Sequence, residues 1–427
     1  MFNNTISSKI KQGLYFNVNK NSGRWAFSDY PKEIKVNQKI AKLNEWDNSI
    51  KTLIVNVTDQ CNLNCVYCSR QCARQKPGAM EIELVKNILK KAIKYAKDNN
   101  IKMTVQFHGG EPLMEFNKII WAIDNFSKED LKNLKLRIQT NGTLLTEQIV
   151  KECKKRNIEI GISLDGRKIE NDLMRRDVKN NGTFDKIKKS LKIIKKYQKE
   201  INCLTVVSNI NVENLEEILS FFDKLGINNI GFLPIYEEPS TRTISKNMVP
   251  NMKKLAESQK KLFDKWIELL KHKKNKNINI TSFQILIWNL LSSNSHIKKF
   301  RVNCGVGVNA FFVEHDGNVW GCGAFSYAKK LKIGNLNSQE LSELQQSNSY
   351  KKFQKRTTDN VQACKNCIFQ FVCKGGCVAN GFKRKGDIFN LDIWCDYWKE
   401  IIKYIVNKIY NEPEIIKLIP NYNIKIK

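Results

Sequence analysis

Cysteine is the residue type in this chain whose number and spacing indicate chemistry. All but two of the 13 cysteines fall in two groups, one within residues 61–72 and one within residues 304–395. No secretory signal is present, so we expect a cytoplasmic protein whose reduced thiols bind metal rather than form disulfides. Cys153 and Cys203 stand alone in apolar helix and strand patterns, and we interpret them as buried structural thiols.

The first group contains Cys61, Cys65 and Cys68 in the spacing C-x3-C-x2-C. A structural zinc site would need four protein ligands. Three thiolates on one short loop suit a [4Fe–4S] cluster whose fourth iron is open to a ligand from outside the protein. Cys72 is an alternative fourth ligand, and the spacing leaves this choice open.

The second group has the pattern C-x17-C, a gap of 41 residues, C-x2-C-x5-C-x3-C, and a last cysteine after 17 more residues. Its members are Cys304, Cys322, Cys364, Cys367, Cys373, Cys377 and Cys395. Such a dense pattern does not fit a hydrophobic core, and it predicts a small loop-rich module stabilised by metal. Zinc remains an alternative here, because zinc ribbons also use C-x2-C pairs.

The elements that must position the first group alternate between strand-like runs and amphipathic helices. The strand-like runs are 52–57, 103–107, 134–139, 158–164, 203–208 and 230–234. The helical segments are 81–97, 145–156, 184–198 and 214–225. This α/β alternation predicts a parallel sheet in a partial or full barrel, in which functional groups gather at the carboxyl ends of the strands.

Distinctive segments follow the first four predicted strands. They are the cysteine loop, HGGEP (108–112), TNGT (140–143) and SLDG (163–166). This combination resembles the radical S-adenosylmethionine (SAM) enzymes over residues 52 to about 235. The resemblance implies a TIM-like partial (β/α)6 barrel and a SAM-binding [4Fe–4S] cluster on the cysteine loop. It also implies reductive cleavage of SAM to a 5'-deoxyadenosyl radical, which abstracts a hydrogen atom from the substrate.

The resemblance further implies which residues contact SAM. They are Tyr67, Gly109, Gly110, Glu111, Pro112, Asn141, Ser163, Asp165, Arg175 and Pro234. The GGEP backbone would hold the methionine amino group, and Arg175 or Arg176 would pair with the SAM carboxylate. Ser163 and Asp165 would contact the ribose or the amino-acid part. Tyr67 would approach the adenine or shield the cluster from solvent.

The second cysteine group, with CGVG (304–307) and DGNVWGC (316–322), resembles the SPASM extension, which binds two auxiliary [4Fe–4S] clusters. The resemblance therefore implies three [4Fe–4S] clusters in total. The implied outer ligands are Cys364, Cys367, Cys373 and Cys395, and the implied inner ligands are Cys304, Cys322 and Cys377. The inner set lacks a fourth cysteine, so a substrate cysteine or Cys72 would complete it.

These patterns divide the chain into five predicted parts. They are an N-terminal extension (1–50) with one hairpin, the barrel (51–235), a helical bridge (236–300), the SPASM module (301–398) and a C-terminal helix and tail (399–427).

We interpret the chain as a radical SAM/SPASM oxidoreductase that matures a ribosomally synthesised peptide (RiPP) by closing a thioether or carbon–carbon cross-link. The alternative is a sulfatase-type maturase that makes formylglycine, or another SPASM oxidoreductase. Sulfatase-maturating relatives carry an aspartate as general base just after the second SPASM cysteine, where this chain has Gly323 and Ala324. The sequence does not select a base among Asp316, Glu237 and Glu238, and His108 is either a pocket or a structural residue.

The formal net charge of +30 suits an acidic precursor peptide, although an ordinary solvated surface explains it equally well. A zinc-binding nucleic-acid module would explain the charge but not GGEP or the six strands, so we do not expect a nucleic-acid partner. No apolar run approaches the ~20 residues that a bilayer span needs, so we expect no membrane partner. The resemblance implies an external electron donor such as flavodoxin or ferredoxin.

Overall fold

The computed structural model describes residues 5–11, 14–19, 25–28, 47–68, 78–235, 246–272, 278–291 and 304–420. By packing, the chain divides into two compact units. The barrel unit comprises residues 48–251 and 304–354, and the second unit comprises residues 1–47, 252–303 and 355–427.

The elements are numbered in chain order. The strands are β1 (Thr5–Lys11), β2 (Leu14–Asn19), β3 (Trp25–Ser28), β4 (Thr52–Thr58), β5 (Met103–Gly109), β6 (Leu134–Thr140), β7 (Ile158–Ser163), β8 (Asn202–Val207), β9 (Asn229–Pro234), β10 (Asn279–Ile280), β11 (Ala310–Val313), β12 (Asn318–Trp320) and β13 (Lys332–Asn335). The α-helices are α1 (Ile82–Asp98), α2 (Phe116–Asp124), α3 (Glu147–Lys155), α4 (Lys168–Met174), α5 (Phe184–Tyr197), α6 (Leu215–Lys224), α7 (Met252–His272), α8 (Thr281–Leu291), α9 (Leu341–Leu344), α10 (Asn348–Lys355), α11 (Gln370–Cys373), α12 (Val378–Lys385), α13 (Cys395–Asn411) and α14 (Ile415–Leu418).

The barrel unit is built on six parallel strands, β4 to β9, that pair in sequential order. Helices connect each of the first five strands to the next, as expected for parallel pairing. Among the described strands the sheet does not close on itself, which confirms the predicted α/β fold with a partial barrel. The observed strand bounds lie within two residues of the predicted ones because buried parallel strands are continuous apolar runs.

Residues 304–354 extend the same sheet. Strand β11 pairs in parallel with β4, with Ala310 opposite Thr52, and β12 and β13 follow in antiparallel order. Residues 304–354 of the predicted SPASM module (301–398) therefore belong to the barrel unit. The motifs alone do not predict this pairing, because they separate the module from the barrel at residue 301.

The helices of the barrel unit are amphipathic, and one face of each is buried. In α1, Val85, Leu89 and Ala96 recur at helical spacing and lie on the buried face. Ile82 and Ile93, which share that spacing, are only half-buried, and Leu84 and Ile88 complete the buried face instead.

The second unit contains a three-stranded antiparallel sheet, β1-β2-β3. The predicted hairpin corresponds to β2 and β3, and its turn lies outside the described residues. Phe16 is fully buried, and its ring centroid lies 6.3 Å from that of Phe369. The helices α7 and α8 lie where the bridge was predicted. In the described part of the chain, no helix is both long enough and apolar enough to span a membrane.

Candidate functional site

The first cysteine group lies on the loop that leaves the carboxyl end of β4. A hydrogen bond from the Asn64 N–H to the Arg176 carbonyl oxygen (2.7 Å) holds this loop against the segment after α4. Burial raises the pKa of Cys61 to about 11 and that of Cys65 to about 12. The free thiols are therefore protonated at neutral pH, and binding of iron must release these protons.

The Gly-Gly pair of HGGEP allows the loop after β5 to lie directly against the loop after β4. The Gly110 N–H donates to the Thr58 carbonyl oxygen and the Glu111 N–H to the Gln60 carbonyl oxygen, both at 2.7 Å. A Cβ atom added at Gly110 would lie 2.1 Å from the Gln60 carbonyl oxygen. Gly109 has φ 146°, a conformation that side chains disfavour. Both glycines are therefore required for this close approach.

The Glu111 side chain links HGGEP to TNGT, a contact that the sequence analysis did not predict. Its carboxylate is fully buried and accepts hydrogen bonds from Leu113 N–H (3.1 Å), Thr140 Oγ1 (2.6 Å) and Asn141 N–H (2.7 Å). Burial raises the pKa of Glu111 to about 7, against the opposing effect of these hydrogen bonds.

Asn141 extends this link to the cysteine loop. Its Nδ2 donates to Asn62 Oδ1 at 2.9 Å and lies 3.9 Å from Cys61 Sγ. Asn62 Nδ2 donates to Thr143 Oγ1 at 2.8 Å, which is a second bond between the two loops. Within the cysteine loop, the Leu63 N–H donates to Cys61 Sγ at 3.4 Å. The loops after β4, β5 and β6 thus form one hydrogen-bonded edge that places Cys61.

A buried ion pair occupies the end of β7. Asp165 Oδ2 lies 2.8 Å from Arg175 Nε and accepts a hydrogen bond from the Tyr67 hydroxyl at 2.6 Å. Asp165 Oδ1 accepts from the Val206 N–H at 2.8 Å. The Arg175 guanidinium lies 5.6 Å from the centroid of the Tyr67 ring. Three residues predicted to contact SAM are therefore brought together, and their roles toward SAM stay predictions.

The other implied SAM-contacting residues have local partners as well. Ser163 Oγ accepts from Gln139 Nε2 at 3.1 Å. Pro112 is buried and begins a short 3₁₀ turn, and Pro234 is the half-buried last residue of β9, after Leu233, which is 51% exposed. These positions lie at carboxyl ends of strands, as predicted.

Of the candidate bases, the structure describes Asp316, and it also describes His108. Asp316 accepts a hydrogen bond from the Asn318 N–H at 2.9 Å within the turn before β12. His108 Nδ1 accepts from the Gly109 N–H at 2.7 Å. Glu237, Glu238 and Cys72 lie outside the described residues.

The structure also brings together Asp59, Glu314 and His315, which the sequence analysis did not connect. Their potential ligand atoms lie within 4.8 Å of one another, and Asn56 Nδ2 donates to both carboxylates. Asp59 directly follows β4 and Glu314 directly follows β11, which are paired parallel strands. The sequence signal for this cluster is an acidic residue directly after each of two strands, and it can be read only if residues 310–313 are identified as a strand of the sheet.

The four predicted outer-cluster cysteines line one small cavity in the second unit: Cys364, Cys367, Cys373 and Cys395. Its walls include the apolar side chains of Phe369, Leu391 and Trp398. Four thiols around a cavity with apolar walls fit the ligand set of a [4Fe–4S] cluster.

Asp392 organises the chain around this cavity. It is 2% exposed, and its carboxylate accepts hydrogen bonds from the N–H groups of Cys377 (2.7 Å) and Trp394 (2.9 Å) and from Trp398 Nε1 (3.1 Å). The buried carboxylate thereby fixes the segments on either side of Cys395.

The remaining two SPASM cysteines belong to the barrel unit. Cys304 is the first residue of CGVG (304–307), and Cys322 follows β12. An added Cβ atom at Gly321 would lie 3.0 Å from the Gly307 Cα, so glycine allows the segments that carry these cysteines to pack closely. The inner ligand set stays a prediction.

Comparison with known proteins agrees with this architecture. The pattern of the radical SAM superfamily matches residues 55–225, and that of an iron–sulfur cluster-binding domain, SPASM, matches residues 304–368. The chain thus belongs to the radical SAM enzymes that carry a C-terminal SPASM domain. Enzymes of this class use iron–sulfur clusters and SAM.

Two curated relatives and one solved structure are similar to most of this chain. A cysteine-type anaerobic sulfatase-maturating enzyme of Clostridium novyi is 30% identical, over 84% of this chain and 96% of its own length. A radical SAM cyclopropyl synthase of Paramaledivibacter caminithermalis is 26% identical, over 86% of this chain and 76% of its own. The solved structure of native anSMEcpe with bound AdoMet and Cp18Cys peptide has a TM-score of 0.71 and 27% identity, over 85% of this chain and 98% of its own.

Proposed function

We propose that this enzyme modifies a residue of a peptide or protein substrate by SAM-dependent hydrogen abstraction. The observation that carries the proposal is the hydrogen-bonded edge that joins Cys61, Glu111 and Asn141 at the carboxyl ends of β4, β5 and β6. A bound cluster would supply the electron that cleaves SAM to the 5'-deoxyadenosyl radical. Cys61, Cys65 and Cys68 would hold it, and the Glu111 side chain would fix the loop against which SAM lies.

Two auxiliary clusters complete the proposed set of three. The cavity of Cys364, Cys367, Cys373 and Cys395 would hold the outer one, and Cys304, Cys322 and Cys377 the inner one. Their role would be to accept the surplus electron or to anchor the substrate.

The product we propose is a thioether or carbon–carbon cross-link within a ribosomally made peptide. Gly323 supports this over formylglycine formation, since it provides no carboxylate directly after Cys322. A Cβ atom there would lie 3.1 Å from the Phe312 ring, so the position has little room for a side chain. The cyclopropyl synthase shows that a similar chain carries out a different radical SAM reaction.

Formylglycine formation on a sulfatase is the second candidate. It is favoured by the Clostridium novyi enzyme, which matches this chain over nearly its whole length, and by the peptide bound in the anSMEcpe structure. In either case the proposed partners are an external electron donor such as flavodoxin or ferredoxin and, given the +30 charge, an acidic substrate segment.

The first test is iron and acid-labile sulfide content of the anaerobically reconstituted protein, with 5'-deoxyadenosine formation measured in dithionite. We expect about twelve irons per chain, falling to about eight with loss of SAM cleavage in Cys61→Ala/Cys65→Ala/Cys68→Ala. Cys153→Ala removes a buried thiol outside both groups and serves as the matched control, which should keep wild-type iron and cleavage. Zinc in place of iron would refute the proposal.

The second test separates the two candidates. Peptides encoded beside the gene and a sulfatase-derived Cys peptide are incubated with SAM, and the products are analysed by mass spectrometry. A peptide product that has lost two hydrogens supports cross-linking. If the cross-link is a thioether, the cysteine that forms it also has no free thiol. An aldehyde at the position of the cysteine supports formylglycine formation and rejects cross-linking.

A further inference from the structure

A buried arginine lies beside the outer-cluster cavity and has an incomplete set of partners. Arg356 is 3% exposed, and its Nε and Nη2 donate to the carbonyl oxygens of Ile388 and Gly375, both at 3.1 Å. Its Nη1 is buried without a hydrogen-bond partner. Because an unpaired buried donor is costly, Nη1 requires an acceptor.

The charge of this guanidinium is not compensated by a direct ion pair. Among the described residues, Arg356 has no carboxylate at ion-pair distance, although Asp392 lies near enough to interact electrostatically. The groups that interact with its charge are Cys364 foremost, then Asp392, and then Cys373 and Cys377. A buried cation surrounded by thiols is expected where those thiols become anionic metal ligands.

Glycine preserves the space around the unpaired nitrogen. A Cβ atom added at Gly375 would lie 2.6 Å from Arg356 Nη1, and Gly375 has φ 83°. Gly375 also lines the cavity with the four cysteines. The arginine and the cavity therefore share a wall that tolerates no side chain at this position.

We propose that Arg356 donates a hydrogen bond from Nη1 to the outer auxiliary cluster and that its positive charge raises the reduction potential of that cluster. A cluster bound by four thiolates is an anion that gains negative charge on reduction, so a fixed buried cation stabilises the reduced form more than the oxidised form. Arg356 thus tunes the potential of the outer cluster and makes it a better electron acceptor. The inference rests on the outer cluster proposed above.

The experiment uses the Cys61→Ala/Cys65→Ala/Cys68→Ala protein, in which only the auxiliary clusters remain. Iron is counted, and the midpoint potentials are measured by anaerobic redox titration with electron paramagnetic resonance. Arg356→Met is compared with Lys403→Met, which removes a positive charge from an exposed position on α13. A further Cys367→Ala variant identifies the signals of the outer cluster.

We expect Arg356→Met to keep its iron and to shift the outer-cluster potential downward by at least a tenfold change in the reduction equilibrium, about 59 mV for one electron. Arg356→Lys, which keeps the charge, should recover most of this shift, and Lys403→Met should leave both potentials unchanged. Unchanged potentials in Arg356→Met, or equal shifts in Arg356→Met and Lys403→Met, would overturn the proposal.

Arg356→Gln is the second neutral variant, in case Arg356→Met does not fold. It keeps hydrogen-bond donors but not the charge, and we expect the same downward shift. Loss of the outer iron from folded Arg356→Gln would also overturn the proposal, because Arg356 would then be needed to bind the cluster rather than to tune it. If Cys367→Ala loses no iron, the proposed outer cluster fails, whereas intact iron with unchanged potentials rejects only the role of Arg356.

Discussion

The buried carboxylate of Glu111 accepts a hydrogen bond from the backbone N–H of Asn141 at 2.7 Å. These residues are 30 positions apart in sequence and lie at the ends of neighbouring parallel strands. Asn141 in turn reaches Asn62 and Cys61 on the cysteine loop. One carboxylate therefore sets the position of the loop that carries the proposed cluster.

Replacement of Glu111 tests this link. Glu111→Ala removes three hydrogen bonds and leaves buried donors unpaired, so we expect a loss of about 2–4 kcal/mol in the free energy of unfolding. Anaerobic urea denaturation followed by circular dichroism measures it. Glu129→Ala, at a position whose side chain is 77% exposed, is the control and should change stability by less than about 0.5 kcal/mol. Equal stability of the two variants would contradict the link.

The raised pKa of Glu111 predicts a pH dependence of stability. The folded pKa of about 7 exceeds the unfolded value, so the folded state binds more protons, and stability falls as pH rises from the unfolded pKa through about 7. Between pH 6 and pH 8 we expect a loss of about 1 kcal/mol. Glu111→Gln cannot ionise and should lack this component. A wild-type slope in the glutamine variant would exclude Glu111 as its source.

The Asp165–Arg175 ion pair predicts strong coupling. Asp165→Asn leaves the Arg175 charge buried without its carboxylate, and we expect a cost of about 3–5 kcal/mol. Asp165→Asn/Arg175→Met removes both charges and should recover part of this loss. A double-mutant cycle by urea denaturation measures the coupling, and strictly additive effects would show that the pair does not interact.

The close approach of HGGEP to the cysteine loop predicts intolerance of a methyl group. Gly110→Ala would place Cβ 2.1 Å from a backbone oxygen of Gln60, next to Cys61, so one of the loops must move. We expect the rate of 5'-deoxyadenosine formation to fall at least about tenfold, since small displacements at an active site are costly. Met114→Ala, at a position that is 41% exposed, is the control. Wild-type cleavage by Gly110→Ala would show that the loops have room.

Replacement of Asp392 should cause loss of the iron of the outer cluster only. Asp392→Ala removes the acceptor for the N–H groups of Cys377 and Trp394. We expect iron to fall from about twelve to about eight per chain, with SAM cleavage retained. Asp396→Ala lies next to Cys395 but its side chain is 82% exposed, and it should keep full iron. Full iron in both variants would limit Asp392 to a structural role.

The sequence by itself determined the six strands, the main helices and the order of the motifs. These features are local: a buried parallel strand, an amphipathic helix and a C-x3-C-x2-C loop are each written in a short stretch of residues. The placement of HGGEP, TNGT and SLDG at one edge followed from the alternation of strands and helices alone.

Only the tertiary structure decided which side chains meet. Three pairs of residues that are not adjacent in sequence illustrate this. They are Glu111 with Asn141, Asp165 with Arg175, and Arg356 with Cys364. The pairing of β11 with β4, which brings Glu314 to Asp59, joins strands that are more than half the chain apart. Such contacts depend on strand order and on the rotamers that close packing permits, and short-range periodicity encodes neither.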